Sequence, residues 1–346
     1  MTHNRLFSAI AFTFILLLAF SCKKKEEKVE YNYLNGTPKF SIPAYVQPGE
    51  VYVLHPREVT RPSDDTSTDG IGYYWSVSPI TTKKDTVRTE KDAASVSADY
   101  TLTIPDTLCT ITTTCSAFAE GYYSSSSEAS SIIVKPYGED RSLKGITYPD
   151  KSKVITDSRD SKKYYYTTAA GLDWFVENLA FEGAGKPFLD SPAMTDIFGM
   201  FYTWNEAAKA CPAGWRLPSN EDFLALHNSL TGAKNTAAKT TFYGNMGDCM
   251  ADAYLNDIKL WEFWPGVNIN NKTGLAMIPA GYATINEDGN ARYYGSTYYY
   301  TCWTSDEAGS DKAYYRYVYA DKPDMLLGSG SKTDFASPVR CVRTSE

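Results

Sequence analysis

The sequence predicts a mostly β chain with two folded domains, an all-β sandwich followed by an α+β domain, and three observations carry that prediction. The 346 residues exceed the usual size of one domain. Aromatics make up 14% of them, with 27 tyrosines among many Ser, Thr and Gly, the composition of an exported, strand-rich chain. Short alternating runs fill the first part of the chain, and two capped helices interrupt such runs in the second.

Residues 1–21 read as a targeting segment. Arg5 gives a weakly positive start, and residues 6–20 are apolar but too short to span a bilayer comfortably. The run Leu18-Ala19-Phe20-Ser21-Cys22 resembles a bacterial lipobox, which implies that Cys22 is lipidated and becomes the mature N-terminus. Lys23-Lys24-Lys25-Glu26-Glu27-Lys28 has nothing to bury, so residues 22–30 are expected to be a solvated tether. Lysine and acid at this place also resemble the surface-export signals of Bacteroidetes lipoproteins. Together these resemblances imply an outer-membrane protein held by lipid and exposed at the surface.

Residues 31–136 are expected to form an immunoglobulin-like sandwich. Val51-Tyr52-Val53-Leu54 follows the turn signal Pro48-Gly49. Tyr73, Trp75 and Val77 share one face of the next run, and Tyr100, Leu102 and Ile104 alternate before Pro105. Residues 111–117 and 131–134 complete the series. Trp75 reads as core. Cys109 and Cys115 have the same strand parity and would lie about 20 Å apart along a strand, beyond disulfide reach. They read instead as small buried side chains. The polar run Pro136-Tyr137-Gly138-Glu139-Asp140-Arg141 marks a boundary, with a linker over 137–144 and a second domain over 145–346.

The second domain opens with a charged turn around Asp157-Ser158-Arg159-Asp160, then strands over 164–167 and 174–179. Thr203 and Glu206 form a capping box for a helix that must stop before Pro212. Ser219 is an N-cap, Glu221 and Asp222 suit the positive end of the dipole, and Gly232 offers a left-handed stop. Between the helices lies Cys211-Pro212-Ala213-Gly214-Trp215-Arg216-Leu217-Pro218. With Trp174-Phe175-Val176-Glu177-Asn178-Leu179, Ala276-Met277-Ile278-Pro279-Ala280-Gly281-Tyr282, Cys302-Trp303-Thr304-Ser305 and Val339-Arg340-Cys341-Val342, this block resembles the Fibrobacter succinogenes major paralogous domain. The resemblance implies a C-type-lectin-like fold over about 145–344. It also implies a disulfide from Cys211, at the helix end, to Cys341 in the last strand. The pairing of Cys249 and Cys302 stays open.

Chemistry is sparse. His3 leaves with the targeting segment, and neither His55 nor His227 is tied by motif to a nucleophile or carboxylate. No metal-ligand spacing occurs, so no metal or cofactor is expected. Gly328-Ser329-Gly330-Ser331-Lys332-Thr333 lacks the Gly-Lys pair of a phosphate loop and reads as a hairpin turn. The calcium-binding tripeptides of sugar-binding C-type lectins are missing, and Trp204-Asn205-Glu206 falls on the first helix. The formylglycine-generating enzyme, a relative of that fold, works through reactive cysteines, a part open in principle to Cys249 and Cys302. The net charge of −7, with no basic stripe, argues against nucleic acid.

The candidate binding surface is aromatic. Tyr315, Tyr317 and Tyr319 alternate along one strand face, with Arg316 and Val318 opposite, and Tyr293, Tyr294, Tyr298, Tyr299 and Tyr300 precede them. Such phenols suit carbohydrate stacking or protein contact, and equally suit cross-strand pairing on a half-exposed sheet. Trp261 and Trp264 are ambiguous in the same way, with core packing favoured. The function expected is non-catalytic recognition of a glycan or an envelope protein. An adhesin-like assembly component is the alternative, and a cysteine-dependent enzyme a remote one.

Overall fold

The computed structural model describes residues 30–67, 70–79, 99–135, 143–146 and 150–345. The targeting segment, Cys22, the tether up to residue 29 and residues 137–142 of the expected linker lie outside the described residues.

The first domain is a β-sandwich. Tyr45–Val46, Ser125–Ile133, Thr110–Phe118 and Gly72–Ser78 form a four-stranded sheet in that order, and Val51–Leu54 pairs with Tyr100–Thr103 in a second layer. Inward residues of both layers, including Leu54, Val77, Leu102, Ile111 and Cys115, make one core. Trp75 lies within it, with Phe40 edge-on at 5.0 Å and Tyr100 stacked at 5.5 Å. Cys115 is buried as expected, whereas Cys109 precedes the strand and is only half-buried; both are free thiols. The strand expected over 131–134 begins six residues earlier, at Ser125. That extension is serine-rich and half solvated, so its strand character comes from pairing with Thr110–Phe118 rather than from apolar alternation. Hydroxyl pairs such as Thr112–Ser130 and Ser116–Ser126 line its outer face.

Among the described residues the second domain holds three larger sheets, the single helical turn Thr195–Phe198 and two longer helices. One sheet joins Val342–Thr344, Leu172–Phe175, Lys163–Ala169 and Val154–Thr156. A second joins Lys186–Pro187, Met200–Thr203, Phe335–Ser337, Tyr282–Ile285 and Ala291–Tyr294. The third joins Tyr299–Glu307, Lys312–Tyr319 and Met325–Ser331. Two expected strands are displaced. The one expected over 174–179 ends at Phe175, and the last begins at Val342 rather than Val339. Between those limits the two segments still bond, Phe175 N–H to the Cys341 carbonyl at 3.0 Å and Leu179 N–H to that of Val339 at 2.8 Å.

Both helices carry the expected caps. Thr203 and Glu206 form the capping box of Trp204–Ala210, and Ser219 caps Asn220–Thr231, which ends on left-handed Gly232. In the second helix Asp222 closes the box, accepting the Ser219 amide at 2.6 Å while Arg216 grips its carboxylate at 2.6 and 3.1 Å. Cys211, at the C-cap of the first helix, is bonded to Cys341. The bridge closes a 130-residue separation, for which chain entropy predicts a stabilisation of about 4–5 kcal/mol.

The domains share a core. Val134, Leu143, Ala253, Leu255 and Ile278 belong to one apolar cluster, against which Tyr45 and Ile132 pack. Leu143 and Lys144 are therefore part of the second domain, Lys144 bridging to Tyr254. Asn256 donates to the Ile133 carbonyl at 2.7 Å, and the Tyr45 amide donates to Ser191 at 3.1 Å.

Candidate functional site

The eight tyrosines singled out in the sequence divide between two sides of the sheets. In the third sheet the strand period of two turns Arg316 and Val318 into the core, both fully buried, and leaves Tyr315, Tyr317 and Tyr319 half-buried on the other face. Pairing sets Tyr299 opposite Tyr319, Thr301 opposite Tyr317 and Trp303 opposite Tyr315. Tyr300 points the other way. It is buried beneath the sheet and does not belong to a binding surface. Tyr293 is likewise inward, packed at 5.2 Å on both Phe188 and Phe201, with its hydroxyl donated to the Pro187 carbonyl at 2.5 Å. Tyr293 and Tyr300 are scaffold.

The remaining tyrosines gain two partners from the second sheet that the sequence reading missed, Tyr282 and Phe335. Tyr282 stacks on Phe335 at 5.1 Å and on Tyr294 at 5.5 Å, and Phe335 stacks on Tyr315 at 4.6 Å. Contacts of 4.8 to 6.3 Å continue the ladder through Tyr317, Tyr299 and Tyr319 to Tyr298 at the rim. The two sheets meet closely because Gly281, at φ 78°, lets its amide reach the Tyr299 carbonyl at 2.8 Å; a side chain there would strike the Tyr294 carbonyl. Tyr282, Tyr299, Thr301, Tyr315, Tyr317 and Phe335 line a groove of about 230 Å³.

Two glycines make the floor flat. Gly328 and Gly330 stand within the strand Met325–Ser331, beneath the rings of Tyr315 and Phe335 respectively, and a β-carbon at either position would collide with the ring. The hairpin turn expected over 328–333 is thus confined to the residues after Ser331.

Burial raises the phenols of Tyr315, Tyr299 and Tyr317, with neighbouring tyrosines adding to it; Tyr315 is pushed up to about 12. Hydrogen bonding to the protein plays no part in these shifts. The groove therefore presents neutral aromatic faces with free hydroxyl edges.

The Fibrobacter succinogenes major domain model matches residues 168–343, half of the chain, including every strand of the groove. The chain belongs to this family. No curated protein matches it. Among solved structures, the Yersinia pseudotuberculosis adhesin InvE is similar over 89% of this chain and 71% of its own, at 12% identity. Its TM-score of 0.23 is too low to assign a fold.

The other sequence candidates lie away from the groove lining of this Fibrobacter succinogenes major domain, and His55 lies outside the domain altogether. Cys249 and Cys302 are buried free thiols, pushed up by burial to about 12 and about 11. His227 is buried, stacked on Phe242 at 5.3 Å with Nε2 beside the Tyr243 carbonyl at 3.0 Å, while His55 pairs with Asp99 at the surface. Trp261 is core, its indole donating to the Met277 carbonyl at 3.1 Å, but Trp264 is partly exposed.

Proposed function

We propose that the chain is a lipid-anchored envelope protein that recognises a glycan or a protein through the tyrosine groove and carries out no chemistry. In this reading Cys22 holds the lipid, the outer membrane is the site, and the family domain, C-type-lectin-like in architecture, faces outward. One observation carries it. Phenols from two sheets converge on a concave surface with their faces partly exposed and, among the described residues, no hydrogen-bond partner for the hydroxyls of Tyr299, Tyr315 and Tyr317. A ladder that served only cross-strand packing would have no need to converge from two sheets. Flat apolar area with a polar rim is the chemistry by which recognition sites orient a ligand.

The test is native electrophoresis of the full chain through gels holding soluble polysaccharides, beside affinity capture from envelope extracts. Either retardation or a specific captured protein, lost in Tyr317→Ala, is the expected result. Binding that Tyr317→Ala leaves unchanged would remove the groove from the reading. Anchoring is checked separately, since Cys22→Ser should abolish incorporation of labelled fatty acid.

A further inference from the structure

The groove does not end at its lining. Tyr298, at the rim, follows Thr297, whose carbonyl accepts the Glu262 amide at 3.0 Å. This fixes the 261–266 loop beside the ladder. The loop is rooted by buried Trp261 and closed by the Val267 amide on the Trp264 carbonyl at 3.1 Å. Its tip presents Phe263, 73% exposed, and Trp264, 38% exposed. Trp264 is not left to rotate, because its indole N–H donates to the Glu262 carboxylate at 3.2 Å. Phe263 stands almost clear of the fold and Trp264 leaves more than a third of its surface in water, apolar area on an anchored loop that the core does not use.

Building on the recognition reading, we infer that the ligand is an extended neutral glycan and that Phe263 and Trp264 form its second contact point, past Tyr298. Charge decides for a neutral chain. Nothing charged lines the groove among the described residues, and Arg292 sits outside it, over the Tyr294 ring at 5.4 Å. A uronate or sulfated polymer would meet the field of a chain carrying −7 with no cation in the groove to receive it. The hydroxyls decide against an apolar peptide face, which would leave those of Tyr299, Tyr315 and Tyr317 dry and unpaired. A sugar ring offers a C–H face for the rings and hydroxyls for their edges at once. The Glu262 amide bonded to the Thr297 carbonyl, next to Tyr298, tethers the loop aromatics to the groove's rim, and two separate aromatic patches suit a polymer rather than a single residue.

The experiment measures retention of the full chain in gels holding xyloglucan, galactomannan or starch as neutral probes, and polygalacturonate or chondroitin sulfate as anionic ones. Retention by a neutral probe is expected, weakened about three- to tenfold in Phe263→Ala and in Trp264→Ala, the range of one lost aromatic contact. Both side chains are exposed, and a near-ultraviolet circular dichroism spectrum matching the parent confirms the fold. Short oligosaccharides of the retained polymer should bind more weakly and lose nothing further in the loop variants. Retention by anionic probes alone would overturn the neutral assignment while leaving glycan recognition standing. Neutral retention unchanged by both loop variants would overturn the second contact. No retention by any probe would overturn the inference, and the groove reading would then stand or fall on capture of a protein that Tyr317→Ala abolishes.

Discussion

Arg316 shows how the groove is held from behind. It is fully buried, its Nε donates to Asn220 at 2.8 Å, and its outer nitrogens donate to the carbonyls of Thr240 and Ala238. Its guanidinium lies 4.1 Å from the Phe242 ring centre. Burial lowers it to about 10, against the opposing pull of Asp306, so it stays charged at neutral pH. Truncation strands three acceptors in a dry site, and Arg316→Ala should cost about 3 kcal/mol or more in denaturant unfolding. Arg316→Lys should recover little of it, since one ammonium cannot reach around the fork. The inward turn of Arg316 was legible from alternation alone. Its acceptors were not, because they come from the first residue of a helix and from a loop, more than seventy residues earlier in the chain. Tyr282 and Phe335 escaped for the same reason. Parity assigns the face of one strand, not the meeting of two sheets.

At the scale of elements, local chemistry was readable almost entirely. The Thr203–Glu206 capping box, the Ser219 cap, the Gly232 stop and the groove face of Lys312–Tyr319 follow from short-range rules, whereas the part of Asp222 in closing a second box emerged only from the structure. The Cys211–Cys341 bridge was reached through resemblance, because a 130-residue separation has no local signature. The start of Asn220–Thr231 gives a pH prediction. Burial alone would raise the Asp222 carboxyl, but Arg216 and the Ser219 groups outweigh it and hold it below the ordinary 3.8. A carboxyl lowered in the folded state contributes stability above about pH 4, lost as pH falls through its folded value. Asp222→Asn should therefore cost about 1 kcal/mol at neutral pH and flatten the decline in stability below pH 4, read by urea unfolding across pH 2.5–7.

At the scale of the whole molecule, the sandwich is docked rather than strung. Tyr45, Ile132 and Val134 pack into a cluster made mostly of second-domain residues, and Asn256 reaches back to the Ile133 carbonyl. Calorimetry of the parent chain should give one cooperative transition, and Tyr45→Ala combined with Asn256→Ala should split it in two. Composition and strand spacing made the mostly β character legible, and the polar run from Pro136 to Arg141 was read as a boundary with a linker over 137–144. The shared core was hidden because its contacts come from Tyr45 and from residues around 253–256, neither of which carries an unusual pattern.

The glycine beneath Tyr315 gives the surface a control point outside its own lining. Gly328 belongs to the strand behind the ring, and only a missing β-carbon lets the phenol lie down. Adding a single methyl group there would push the Tyr315 ring off the strand and into the groove, with no substitution among the aromatic residues themselves. A change in the groove's shape therefore need not run through the aromatic residues at all. It can run through the thickness of the strand on which they rest.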